Sequence, residues 1–266
     1  MLSRALTGNS FCFPTKILHK DNPMRMKPHF ALVPLLASAL AVAPAFAEEE
    51  DRLDVSVSYN TDAFFGPNPF FGASYDTQKG YDLTFYGIAW GAGTGAAWAQ
   101  WTEFGVGLGF EALDGDLYIN PQLGITSGNL LSSGAAGEGV VGDGIVPNLT
   151  LAYDTEEWEG QLYAGYYLDL RDEAEDGGTT NEYLHYWING GRKFGKYFSA
   201  GLHFEELSLE GGSNVGSLDG YQWLGPYIQV AKDQAGIRFS FGTDLTDDDS
   251  SFSTSDFYKL QAFYSF

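Results

Sequence analysis

From about residue 53 onward, apolar and polar positions alternate with a period of two, in runs bounded by Gly, Pro, Asn and Asp. Between Trp101 and Phe110, one side carries Thr102, Phe104, Val106, Leu108 and Phe110, and the other carries Glu103, Gly105, Gly107 and Gly109. Leu117, Ile119, Leu123 and Ile125 oppose Tyr118, Asn120, Gln122 and Gly124. Leu162, Ala164, Tyr166 and Leu168 oppose Gln161, Tyr163, Gly165 and Tyr167. A two-residue repeat is the mark of a strand whose faces meet different surroundings. Applied to the whole chain it predicts twelve strands, at about 53–64, 70–76, 81–90, 101–111, 117–125, 145–153, 158–168, 183–191, 198–209, 221–230, 237–242 and 257–266. Most reach the roughly nine to eleven residues that a tilted membrane strand requires. The second and eleventh read as short.

The connections alternate in length. Short turns are expected at 77–80, 112–116, 154–157, 192–197 and 231–236, and longer ones at 91–100, 126–144, 169–182, 210–220 and 243–256. The connection at 65–69 is the brief member of the long set. Short turns on one side, long loops on the other and an even strand number predict an all-β fold: an antiparallel transmembrane β-barrel of about twelve strands, apolar set toward lipid and polar set toward the lumen. A soluble sandwich has no reason to keep that parity. Tyr59, Tyr75, Trp90, Trp101, Tyr153, Trp158, Tyr183, Tyr221, Tyr258 and Tyr264 lie near strand ends, which suits interfacial girdles.

The amino terminus has a different pattern. Residues 26–47 have a basic start (Met26, Lys27), an apolar run from Phe30 through Leu40 to Val42, then Pro44 and the small-x-small site Ala45, Phe46, Ala47. This reads as a secretory signal peptide cleaved before Glu48. Residues 1–25 do not fit the front of a signal, which points to Met26 as the true start. The domain division is therefore a leader over 1–47 and a barrel over 48–266.

The 266 residues carry 14 Lys and Arg against 35 Asp and Glu, a formal net charge of −21. Five of the basic residues and one acidic residue lie in the leader, so the remainder is more acidic still. Such a chain repels nucleic acid and attracts cations. The single Cys, Cys12, and all three Met also leave with the leader, which excludes disulfides and thiol chemistry from the barrel. After the leader no apolar run approaches the roughly 18 residues of a helical span, and an exported chain that enters lipid without helices must close into a barrel.

Candidate chemistry is sparse. Gly91, Ala92, Gly93, Thr94 and Gly95 echo a nucleotide-binding loop, but the segment after them is strand-like rather than helical. His185 and His203 are expected to face each other across a turn centred near Phe194, with Glu205 two residues further along the lumenal face. Two imidazoles and a carboxylate are weak metal candidates and read equally well as pore-lining groups. The remaining lumenal charges by parity are Glu103, Glu159, Arg238 and Lys259, and the two cations are expected to pair with Glu103, Glu159 or Glu205. The acidic loop runs Asp169, Asp172, Glu173, Glu175, Asp176 and Asp244, Asp247, Asp248, Asp249 do not match a calcium hand. Lys79, Arg192, Lys193, Lys196 and Lys232 fall on the short-turn side.

The last strand places Tyr258, Leu260, Ala262, Tyr264 and Phe266 on one face. It resembles the closing strand of Gram-negative outer-membrane barrels, in which the terminal aromatic belongs to the signal read by the assembly machinery. By its leader, topology and terminal strand, 48–266 resembles the uncharacterised porin families of the outer membrane. That resemblance implies export through the periplasm, with outer-membrane lipids, the barrel-assembly machinery and small solutes as partners, and no cofactor. The expected function is a non-enzymatic passive pore for small hydrophilic solutes, cationic or neutral. The alternatives are a non-conducting structural or surface-interaction barrel with acidic outer loops and, third, a lipid-modifying enzyme.

Overall fold

The computed structural model describes residues 52–91, 101–132, 140–171, 179–213, 217–246 and 256–266. Twelve strands run in chain order: β1 Leu53–Asp62, β2 Gly66–Asp76, β3 Asp82–Trp90, β4 Trp101–Ala112, β5 Leu117–Gly128, β6 Val140–Asp154, β7 Trp158–Asp169, β8 Glu182–Phe194, β9 Phe198–Gly211, β10 Leu218–Lys232, β11 Ala235–Asp244 and β12 Asp256–Ser265. Each pairs antiparallel with the next, and β12 returns to β1, so the sheet closes without an edge. Closure is what lets every strand satisfy its backbone in lipid. Among the described residues no helix is long and apolar enough to cross a membrane.

The closing seam runs from Ser56 opposite Ser265 to Asp62 opposite Lys259. Beyond it, Phe266 N donates to Val55 O at 2.8 Å, while Ser265 N donates to Gln234 O at 2.9 Å. The carboxy terminus is thereby held by both of its neighbours.

The alternation read from the sequence sets the two faces. Val106, Leu123, Leu202 and Ile237 are exposed on the outside, whereas Asn120, Thr150, Glu205 and Gln229 are buried on the inside. The lipid belt is therefore apolar and the interior polar, as a membrane barrel requires.

Three expectations are corrected. β2 is not short: it has 11 residues and starts at Gly66, which shrinks the first outer connection to Ala63, Phe64 and Phe65. The β8–β9 turn is centred at Lys196, with Phe194 opposite Phe198, so His185 lies opposite Leu207, and His203 opposite Asn189. Four of the ten aromatics assigned to the girdles point inward: Trp90 and Trp101 are 5% exposed, Tyr183 8% and Tyr221 0%. Tyr59, Tyr75, Tyr153, Trp158, Tyr258 and Tyr264 are exposed on the outer face. The Gly91 to Gly95 stretch, apart from Gly91, lies outside the described residues, as do Asp172 to Asp176 and Asp247 to Asp249.

Candidate functional site

The outer end of the lumen is closed by a turn that folds inward. Asp62, at the end of β1, uses Oδ1 to accept the backbone N–H of Phe64 at 3.0 Å and of Phe65 at 2.6 Å. Its Oδ2 accepts Asn68 Nδ2 at 3.3 Å. An aspartate that captures the amides two and three residues ahead is a turn-forming device. Here it tips both phenyl rings into the barrel. Phe65 lies 4.7 Å from the Trp90 ring, 5.9 Å from Trp101 and 5.6 Å from His185. Phe64 lies 5.0 Å from Tyr221, which stacks on Trp223 at 4.0 Å, and Trp223 stacks on Phe257 at 5.0 Å. The rings thus form a layer from the β3–β4 wall to the β10 and β12 wall.

A second inward segment supports this layer. Asp143 in β6 accepts Leu131 N at 2.6 Å and Ser132 N at 2.7 Å, and Leu131 is fully buried. Asn181 N donates to Leu131 O at 2.9 Å, tying this segment to the start of β8.

Below the layer, the lumenal charges collect in two ion-paired clusters. Glu205 accepts His185 Nε2 at 2.9 Å, Tyr221 Oη at 2.9 Å, His203 Nε2 at 3.0 Å and Lys259 Nζ at 2.6 Å. The two histidines and Glu205 do meet, through the carboxylate and despite the corrected register. Lys259 already supplies the positive charge there, and among the described residues no group of His, Cys, Asp and Glu is arranged to hold a metal. The second cluster joins Glu159 to Arg238 at 3.3 Å, with Tyr227 Oη donating to the same carboxylate at 2.7 Å and Gln229 Nε2 at 3.1 Å. Arg238 also sits 4.5 Å from the centroid of the Tyr227 ring.

Glu103 stands apart from these. Its oxygens accept Tyr86 Oη at 2.5 Å, Tyr167 Oη at 3.1 Å and Trp90 Nε1 at 3.3 Å, and no cation pairs with it among the described residues. Both lumenal cations therefore pair with Glu159 and Glu205, and neither pairs with Glu103.

The opposite end of the lumen carries a recess on its β1–β4 side. A cavity of about 510 Å³ is bordered by Asp54, Asp76, Asp82, Glu111, Gln78 and Tyr81 at the short-turn rim. The sequence pattern puts basic residues on this side, and Lys193 does sit there, 2.5 Å from Asp154 Oδ1. The mouth itself is nevertheless lined by carboxylates. From it a ladder of uncharged polar groups climbs the β3–β6 wall: Tyr118 Oη donates to Asp82 at 3.0 Å, Thr84 Oγ1 to Asn120 Oδ1 at 2.9 Å, and Gln122 Nε2 to Thr84 Oγ1 at 3.0 Å. Asn148 Nδ2 then donates to Tyr86 Oη at 2.9 Å, which leads to Glu103. Asn120 Nδ2, Thr150 Oγ1 and Asn148 Oδ1 on this wall are buried and have no protein partner.

The sequence pattern reveals the charged set but not Asp62, Phe64, Phe65 and the acidic mouth. The signal for the turn was its brevity: three residues cannot arch out as a loop, and two of them are Phe. The signal for the mouth was parity, which places Asp54, Asp76, Asp82 and Glu111 on the inner face.

A family model described as "Family of unknown function (DUF6733)" matches residues 24–266. No curated protein matches the chain. Among solved structures, the COG4313 outer membrane channel from Pseudomonas putida F1 aligns with a TM-score of 0.52 at 12% identity, over 82% of this chain and 99% of that one. A KdgM porin aligns at 0.46 and 14% identity over 79% and 99% of the two chains. A NanC porin aligns at 0.45 and 10% over 80% and 98%. The first of these likenesses shows the fold alone, a closed antiparallel β-barrel.

Proposed function

We propose that this chain, which belongs to the family of unknown function DUF6733, is an outer-membrane channel for small hydrophilic solutes, cationic or neutral, closed in this conformation by its own first outer turn. The observation that carries the reading is the difference between the two ends of the lumen. One end is a cavity of about 510 Å³ walled by carboxylates, which continues as a polar ladder. The other is covered by a ring layer whose central members, Phe64 and Phe65, rest on a three-residue turn and pack against rings carried by β3, β4, β10 and β12. Ala63 N donates to Tyr258 O at 3.1 Å and extends the ladder, and beyond it Asp62 accepts the amides of Phe64 and Phe65, so a swing of those two residues would leave the barrel closed on itself.

Carboxylates at the mouth concentrate cations, and rings of charge inside a pore act on an ion at close range. Export by a leader over 1–47 and assembly through the terminal strand ending at Phe266 belong to the same reading. Its test is the conductance of the refolded mature protein in planar bilayers, with the reversal potential in a KCl gradient. Discrete openings with modest cation preference are the expected result, and anion preference would reject the charge assignment.

One observation favours a second reading, a filled structural barrel. The inward side chains at mid-height, among them Trp187, Tyr227, His185, His203 and Gln229, are fully buried, so water does not reach past them in this conformation. Absence of current both from the wild type and from a variant lacking the Phe64 and Phe65 rings would establish that reading in place of the channel.

A further inference from the structure

After the leader the chain holds nine basic residues among a large excess of carboxylates. Arg238, Lys259 and Lys193 each engage a carboxylate, and Arg52 donates to Asp76 O while resting over the Tyr75 ring. Arg192, Lys196 and Lys232 differ: they are exposed and make no ion pair among the described residues. All three stand at the short-turn end of the adjacent strands β8, β9 and β10. Arg192 shares parity with exposed Ile188 and Phe194, and Lys232 with exposed Ile228 and Val230, so both belong to the outer face. Lys196 lies in the turn between β8 and β9, and Ala231 N donates to Tyr197 O at 2.9 Å, which brings that turn beside Lys232. Two strand spacings, about 10 Å, separate β8 from β10, a width across which Arg and Lys side chains reach a common group.

The surroundings set the depth of this arc and leave its positive charge standing. The Arg192 guanidinium lies 6.0 Å from the centroid of the Trp158 ring, its neighbour across the β7–β8 pair, and Trp158, Tyr153 and Tyr197 are exposed at the same rim. Amphipathic rings of this kind mark the head-group level of a bilayer. The outward carboxylates of these strands, Glu182 and Glu206, lie toward the opposite ends, where Tyr166 Oη donates to the first at 3.2 Å and Tyr186 Oη to the second at 2.7 Å. Asp154 is engaged by Lys193, and Glu156, Glu157 and Asp233 stand in the turns, past the last outward rung. Toward mid-membrane from Arg192 the wall is shallow: Gly160 pairs with Gly190, over which a Cβ would meet open space, beside exposed Ile188 and Leu202.

We propose that Arg192, Lys196 and Lys232 hold the head group of one anionic phospholipid, with its phosphate among the three cations and its chains along the recess at Gly160 and Gly190. Short turns of outer-membrane barrels face the periplasm, so this rim stands in the inner leaflet, which is built of phospholipid. The lipopolysaccharide of the other leaflet meets the far ends of the strands. Each cation at a membrane surface strengthens the hold on anionic lipid about fivefold. The inference rests on the outer-membrane part of the proposed function and not on conduction.

The test is lipid retention by the refolded mature protein. It is placed in bilayers of equal phosphatidylcholine and phosphatidylglycerol and extracted in mild detergent, and the lipid it keeps is counted by mass spectrometry. The wild type is expected to keep phosphatidylglycerol over phosphatidylcholine by about tenfold or more, and Arg192→Gln with Lys232→Gln to bring the two within about twofold. Lys79→Gln removes an exposed cation from the turn before β3 and is expected to leave the preference unchanged. An equal loss in that variant would show bulk attraction in place of a site. Equal retention of the two lipids by the wild type overturns the proposal, as does a preference that survives the double substitution. A preference abolished by inorganic phosphate in the buffer would assign the cations to a free anion and overturn it too. Current is recorded separately: lipid preference without current keeps the site and removes the channel, whereas current without lipid preference does the reverse.

Discussion

Replacing Phe65 by Ala acts on the closed state alone if closure depends on the turn. The Phe65 ring is 3% exposed and meets five rings: Trp90 at 4.7 Å, Phe64 at 5.0 Å, His185 at 5.6 Å, Trp101 at 5.9 Å and Tyr221 at 6.3 Å. Burying a phenyl group contributes about 2–3 kcal/mol, and truncating one in a packed site costs about 3–5 kcal/mol. An open state that lifts the turn into water keeps none of this. Taking the low end, about 3 kcal/mol, Phe65→Ala is expected to raise the open-to-closed ratio roughly a hundredfold. Asp62→Ala removes the acceptor of two backbone N–H groups and leaves both rings, so about 1–3 kcal/mol and a smaller rise are expected. The assay is open probability in planar bilayers. Retention of the folded form on unheated gels shows that each variant still closes its barrel. A folded Phe65→Ala protein whose open probability stays within about threefold of the wild type would refute the turn as the seal.

Other perturbations reach different parts of the same lumen. Asp76→Asn with Asp82→Asn neutralises half of the four carboxylates at the mouth, so the cation-to-anion permeability ratio is expected to fall. The effect should fade near 1 M salt, where screening acts within about 3 Å rather than the 8 Å of physiological salt; a ratio unchanged in dilute KCl would place selectivity elsewhere. Glu205→Gln removes the ion-pair partner of the part-buried Lys259, which keeps Asp62 opposite it across the seam, and is expected to cost about 1–3 kcal/mol in urea unfolding, part of which Glu205→Gln with Lys259→Met should restore. Strictly additive losses would show that the two residues are not coupled. Deleting Phe266 removes one backbone bond to Val55, worth about 1 kcal/mol, from the finished barrel. Its outer-membrane yield is nevertheless expected to drop sharply, and normal yield would remove Phe266 from the assembly signal. Amino-terminal sequencing of the outer-membrane form is expected to begin at Glu48, and an intact 30–47 segment would contradict the leader.

The strand order was legible because a closed barrel leaves its faces no choice. Each residue points either to lipid or to the lumen, so a period of two, kept over twelve segments, carries both topology and orientation. Trp90, Trp101, Tyr183 and Tyr221 show where a weaker rule displaced a stronger one. Tyr and Trp near strand ends suggest girdles, yet Trp101 shares parity with Glu103, Tyr183 with His185, and Tyr221 with Trp223, all of which point inward. Parity was the physical constraint and the girdle rule only a tendency. The register of β8 on β9 failed for a simpler reason. Turn length sets register, and placing the centre at Phe194 instead of Lys196 moved every pair by four residues.

The arrangement of charge inside the lumen was illegible for a deeper reason. Pairing register fixes neighbours on adjacent strands, but Glu159 on β7 reaches Arg238 four strands away on β11, and Glu205 on β9 reaches Lys259 three strands away on β12. Such contacts cross the lumen and depend on the barrel's section, which alternation along a strand does not encode. What the sequence did contain was an excess of inward carboxylates over the two strand cations Arg238 and Lys259, so some carboxylates had to remain without one, and geometry decided which. Glu103 on β4 is four strands from Lys259, which has a nearer partner in Glu205, and five from Arg238, which Glu159 already engages. The glutamate without a cation thus falls on the wall that carries the polar ladder from the acidic mouth, next to Trp90 and beneath the Phe65 ring.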